Sequence, residues 1–185
     1  MMWVVFGHYY LNSVGGVVNT LNLENIILKP FFLVVETGLL AVDIFFFLGG
    51  FFLAFVFLRE KVKRNITYLF AIIQRVLRIW PAYILVMMIY YSFFMHMGDG
   101  PRWQFNEPTI NLCSRMWKSI LFVDNLVDNG EEMCLNWGWY LQADFQIFLS
   151  CLVLLFIYNK VHKKASYALA GVLVLCSWAF NIYYT

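Results

Sequence analysis

Apolar residues run almost without interruption along four stretches of this chain, at about residues 38–58, 79–97, 139–158 and 165–184. Each comes close to the roughly 20 residues a helix needs to cross a hydrocarbon core, so each predicts a membrane span. An amphipathic run from Thr67 to Arg78 precedes the second, and Pro81 predicts that a new helix starts there at a different angle. A fifth stretch, residues 1–18, is apolar but broken by His8, Asn12, Ser13 and Gly15-Gly16 and starts without a polar lead. It predicts a span cut short at its start. The alternative is a cleaved leader, against which stand the missing basic start and the missing small-residue cleavage site. The pattern predicts an all-α, polytopic transmembrane helical bundle of about five spans, forming one domain over residues 1–185, with one long connection at about residues 98–138.

Charge orients the bundle. The turns Arg59-Glu60-Lys61-Val62-Lys63-Arg64 and Lys160-Val161-His162-Lys163-Lys164 are short and basic, and two spans and one acidic loop separate them. The positive-inside rule puts both turns on the cytoplasmic side. The N-terminus then lies on that side too, and the last span ends outside. The long loop carries Asp99, Glu107, Asp124, Asp128, Glu131 and Glu132 against Arg102, Arg115 and Lys118, and is expected to be lumenal or extracellular. Composition agrees with the class: 62% of residues are hydrophobic and 13% charged, where a soluble domain has roughly a quarter charged. An integral membrane protein surrounded by lipid is expected, with no nucleic-acid partner. The organelle stays open between endoplasmic reticulum, plasma membrane and mitochondrial inner membrane.

Of the four cysteines, Cys113 and Cys134 both fall in the long loop, where an oxidising compartment permits a disulfide. Whether they pair is left open, because spacing supplies no geometry. Cys151 and Cys176 fall inside spans, as small apolar packers.

Polar residues within the spans carry the candidate chemistry, since ionisable groups in a bilayer are costly. His8 follows Trp3-Val4-Val5-Phe6-Gly7; it is either a general base, able to exchange a proton near neutral pH, or a histidine hydrogen-bonded inside the bundle. Glu36, Leu40, Asp43 and Phe47 share one helical face, so the two carboxylates point at one polar cavity, unless Asp43 is an N-terminal anion answering the helix dipole. Gly49-Gly50 allows a close approach by a ligand or by another helix. Arg75 and Arg78, three apart on one face, offer guanidinium forks to phosphates or snorkel to lipid headgroups. Asp144, with Gln142 and Gln146, forms a polar patch with no reason to face lipid.

Taken in order, these strings resemble one family. Val4-Val5-Phe6-Gly7-His8, Asp43 before its Phe-rich run and Gly49-Gly50-Phe51-Phe52-Leu53, the string Arg75 to Tyr83, and Trp139 to Gln146 are similar to the first half of the membrane acyltransferase 3 family. Leu121-Phe122-Val123-Asp124-Asn125, Cys134 and Trp137-Gly138-Trp139-Tyr140-Leu141 resemble its nose-resistant-to-fluoxetine branch. The resemblance implies transfer of an acyl group from an acyl coenzyme A donor to a hydroxyl acceptor, with no covalently bound cofactor and no metal. It makes His8 the general base, with Asp43 as the second candidate catalytic residue. Arg75 and Arg78 would bind the donor, and Asp43, Trp139 and Asp144 match positions that would order the cavity; Glu36, Gly49 and Gly50 join the cavity on the residue pattern alone.

The chain also departs from the family. Members are expected to be about twice as long with about ten spans, so this chain is expected to hold the N-terminal part. The basic residue common some eleven positions before the His has no place here, and Gly49 stands where Ser is common. Two functions follow. One is an O-acyltransferase completed by another polypeptide or by further chain; the other is an inactive structural or assembly subunit of a larger membrane complex, or a lipid-binding protein. A transporter fits less well, as no inverted repeat or pair of broken spans is visible.

Asn65-Ile66-Thr67 matches a glycosylation acceptor but adjoins the basic turn. Asn65 is therefore expected to stay unmodified: glycosidase treatment of the full-length protein should produce no mobility shift assignable to Asn65, and a glycan there would reverse the orientation.

Overall fold

The computed structural model describes Val5, Gly7–Tyr9, Phe32 and residues 37–59, 65–93, 96–98, 113–127 and 133–184. Four long helices dominate: α1 (Gly38–Arg59), α2 (Asn65–Phe93), α3 (Trp139–Lys160) and α4 (Lys163–Tyr184). The described residues contain no strand. Among them, three helices are long and apolar enough to cross a membrane, over Leu40–Arg59, Thr67–Phe93 and Trp139–Lys160. α4 occupies the stretch expected for the last span. The expected span at residues 1–18 lies outside the described residues, apart from Val5 and Gly7–Tyr9, which are helical.

The expectation of a break at Pro81 is corrected. α2 runs through Pro81 without interruption, so the amphipathic run and the span expected at 79–97 are one helix. Pro81 removes the single backbone bond to the Leu77 carbonyl. A break would strip several carbonyls and N–H groups of partners within an apolar segment, which costs more in hydrocarbon. Arg75, ten residues into α2 and about 15 Å along its axis at 1.5 Å per residue, consequently lies inside the span.

The chain forms two compact units, Met1–Phe52 and Leu53–Thr185. In the first, α1 is apolar around its whole circumference, the pattern of a membrane helix. Phe47 stacks on Phe51 at 6.2 Å between ring centroids, and both rings are exposed.

In the second unit, α2 and α3 run antiparallel. At one end of the pair Asn159 Nδ2 donates to the Tyr68 hydroxyl at 3.0 Å, while towards the other Tyr83 abuts Gly138. Phe57 from the end of α1 joins Tyr68, Phe148, Leu152 and Leu155 in one buried cluster. A second cluster gathers Tyr83, Met87, Tyr90, Phe122 and Leu135 around Cys113 and Cys134; Phe145 packs against both. α4 folds back on α3 after a two-residue turn, and Ser166 Oγ donates to the Leu154 carbonyl at 2.9 Å.

The described parts of the long loop are tied to this helix pair. Cys113 and Cys134 form a disulfide with Cα atoms 4.4 Å apart, across a sequence separation of 21. The bond sits in the cluster of Tyr83, Met87 and Tyr90, so it fastens both ends of the loop to α2. Phe122 adopts φ 57°, a left-handed conformation that costs a non-glycine residue roughly 1–2 kcal/mol. Its ring compensates by lying between Tyr83, at 5.8 Å, and Phe145, at 4.9 Å.

Candidate active site

Arg75 is the charge that most needs an explanation, and α3 supplies it. Its Nη2 donates to Asp144 Oδ2 at 2.5 Å, with the two side chains 25% and 19% exposed. Phe148, one turn beyond Asp144 and therefore on the same face, lies under the guanidinium at 4.3 Å. The cation is thus held by an anion on one side and a ring face on the other. Arg75 Nε is buried without a hydrogen-bond partner, so the ion pair carries the compensation.

The neighbouring face of α3 grips the loop. Asp124, 2% exposed, accepts hydrogen bonds from Ser119 Oγ and from Gln142 Nε2, the latter at 2.9 Å. Gln142, fully buried, accepts in turn from the Asn125 backbone N–H at 3.2 Å. One turn later Gln146 exchanges two side-chain hydrogen bonds with Asn125, at 3.0 and 2.8 Å, and donates to the Phe122 carbonyl at 2.8 Å. From the opposite side Trp80 Nε1 of α2 donates to the Ile120 carbonyl at 2.9 Å. A buried carboxylate and two glutamines four apart therefore lock the string Ser119 to Asn125 onto the helix pair, in surroundings where an unmet polar group is expensive.

Next to this lock lies a cavity of about 320 Å³ between α2 and the start of α3, largely apolar and bordered by Arg78, Tyr83, Trp137 and Gly138. Arg78, exposed and one turn beyond Arg75, is the one cation among its lining residues. Chemically the site offers a guanidinium at the edge of an apolar chamber, with a second guanidinium neutralised behind it.

Over residues 1–185 the chain matches the family model of the acyltransferase domain, acyltransferase 3. The chain belongs to the acyltransferase 3 family. It is similar to nose resistant to fluoxetine protein 6 of Caenorhabditis elegans, 30% identical over an alignment of 196 positions that covers 96% of this chain and 23% of the relative. It therefore spans about a quarter of that relative's length. No solved structure matches.

The acyltransferase 3 strings fall into both units. His8 and Asp43 lie in Met1–Phe52, whereas Arg75, Arg78, Trp139 and Asp144 lie in Leu53–Thr185. His8 is helical and exposed. Asp43 is exposed in the second turn of α1, and the first turn carries no acidic residue; Asp43 is therefore not the helix-opening anion that one reading expected. Glu36 lies outside the described residues, and Gly49 and Gly50 are half-buried within α1. Arg75 and Arg78, expected to act as a pair beside a cytoplasmic turn, have different surroundings inside the span: Arg75 is held by Asp144 and Arg78 faces the cavity. Trp139, expected to order the cavity, is exposed at the start of α3 and meets Tyr140 edge-on. Trp137 and Gly138 border the cavity in its place, because the turn from Asn136 to Gly138 is a 3-10 helix that places the two residues before α3 there.

Asp124, Ser119, Tyr83 and Gly138 escaped the residue-by-residue reading of the site. The signal for Asp124 was present: an Asp-Asn pair ahead of two glutamines spaced one helical turn apart, all in an apolar context.

Replacing Asp124 with Ala in the full-length protein would leave Ser119 Oγ and Gln142 Nε2 without an acceptor and should cost about 2–3 kcal/mol. Thermal unfolding of the purified protein in detergent should show a lowered Tm, with faster proteolysis in the 113–138 loop; an unchanged Tm and digestion pattern would contradict the lock.

Proposed function

We propose that this protein is an integral-membrane O-acyltransferase, moving an acyl group from an acyl coenzyme A donor to a hydroxyl acceptor. The observation that carries the reading is the family match over the whole chain, together with the largely apolar cavity that Arg78 of the Arg75-to-Tyr83 string borders in the Leu53–Thr185 unit. Acyl transfer needs a base for the acceptor hydroxyl, a cation for the donor, and a chamber poor in water where both act strongly. His8 would take the hydroxyl proton as the oxygen attacks the thioester carbonyl. The carbon–sulfur bond then breaks, and the proton passes to the departing thiolate, which leaves as the free coenzyme A thiol. Asp43, in the same unit, is the second candidate catalytic residue, and Arg78 is the cation available to the donor. Arg75 acts through Asp144 and α3, and so positions.

The disulfide in the long loop supports an oxidising compartment on that side, with the basic turns and the coenzyme A donor opposite.

His8→Ala should reduce transfer of labelled acyl groups by at least 100-fold, or about 2.7 kcal/mol of barrier, in membranes containing the full-length protein. Expression and assembly should be unchanged. Equal transfer by variant and wild type would remove His8 as the base. No transfer by either, with the assembly intact, would instead favour an inactive structural subunit.

A further inference from the structure

The wall of the cavity has a shape that the general acyl-transfer reading leaves unused. Arg78, Ala82 and Val86 recur every four residues and form one stripe of α2, about 12 Å long at 1.5 Å per residue. The facing wall comes from Leu135, Gly138 and Leu141. The cavity is largely apolar, with its one cation at one end of the stripe. At about 320 Å³ it stands at the small end of ligand sites, which run from roughly 300 to 1,000 Å³.

Two polar groups on this wall lack a partner among the described residues. Arg78 lies within the span Thr67–Phe93, and the ion pair described there goes to Arg75; a guanidinium at that depth calls for an electron-rich oxygen. Tyr83 is 5% exposed. Its hydroxyl approaches Gln142 and Ser119 without making a hydrogen bond of normal geometry.

Gly138 explains how the start of α3 fits against Tyr83 on this wall. Its φ of −69° is ordinary helical backbone, so nothing in the chain path demands glycine. A Cβ there would stand 2.7 Å from the Tyr83 hydroxyl, closer than any real contact. The requirement is for space.

We propose that this cavity is a slot for one acyl chain, that of the transferred group, lying along the Arg78–Ala82–Val86 stripe with its carbonyl end at Arg78 and with Tyr83 seated against Gly138 on the wall. This inference rests on the acyl-transfer reading, and its test separates the two because binding is read without turnover. The full-length protein in detergent micelles is photolabelled with decanoic acid carrying a terminal diazirine, whose extended chain matches the length of the stripe, and with the alcohol of the same chain, and the labelled peptides are mapped. Label is expected on 79–86 and 135–141. Gly138→Leu and Ala82→Phe should each reduce it about ten-fold, equivalent to about 1.4 kcal/mol of binding. Ala82 is exposed, so its variant should fold even if the Gly138 variant does not. Arg78→Gln should weaken labelling by the acid and spare the alcohol. Label elsewhere, or label indifferent to Ala82→Phe, overturns the slot. Wild-type transfer without label on these segments also overturns the slot and leaves the reaction standing; label without transfer does the reverse.

Discussion

A guanidinium held between two membrane helices needs an anion beside it, and the geometry of the Leu53–Thr185 unit follows from how Arg75 meets that demand. Asp144 answers it from α3, which fixes the antiparallel register of α2 and α3 at one point. Phe148, four residues on, closes over the cation, while Tyr68 with Asn159 and Tyr83 with Gly138 fall into line on either side. A pair this close is worth less in net stability than its Coulomb energy suggests, because both ions are desolvated. Its importance lies in what is left behind when one partner is removed.

α3 is a scaffold with two polar faces. One carries Asp144 towards α2; the other carries Gln142 and Gln146 towards the loop. The loop could not be held there by apolar contact alone. Phe122 takes an unfavourable backbone conformation and Asp124 is buried as a carboxylate, so each requires its partners to be in place. The disulfide then limits how far the loop's ends can wander. With the loop docked, Leu135, Trp137 and Gly138 stand across from α2, and the cavity beside Arg78 exists.

Much of the architecture was readable from residue order. Uninterrupted apolar stretches predicted helices where α1, α3 and α4 stand, and the strings around His8, Asp43, Arg75 and Trp139 pointed to the acyltransferase 3 family that the chain-wide match shows. The reading failed at Pro81 because proline is a strong helix breaker in water, whereas in hydrocarbon the competing cost is a longer run of unmet backbone groups. That single difference moved Arg75 and Arg78 from the edge of the span to its interior. Asp124 was passed over for another reason: a loop carboxylate looks solvated, and the Asp-Asn pair gains its meaning only once Gln142 and Gln146 of α3 are seen to face the loop. The separate fates of the two arginines depend on where α3 packs, which spacing along α2 does not contain.

The central claim is that Arg75 and Asp144 act as one unit that sets how α2 and α3 meet. It is tested most directly by a double-mutant cycle on the thermal stability of the full-length protein, using Arg75→Asp, Asp144→Arg and the two together. Each single change should cost about 3 kcal/mol, since it leaves like charges facing one another in a partly buried site, and the exchanged pair should recover most of that loss. Single effects within about 0.5 kcal/mol of wild type, or a double variant whose loss is the sum of the two within that margin, would contradict it.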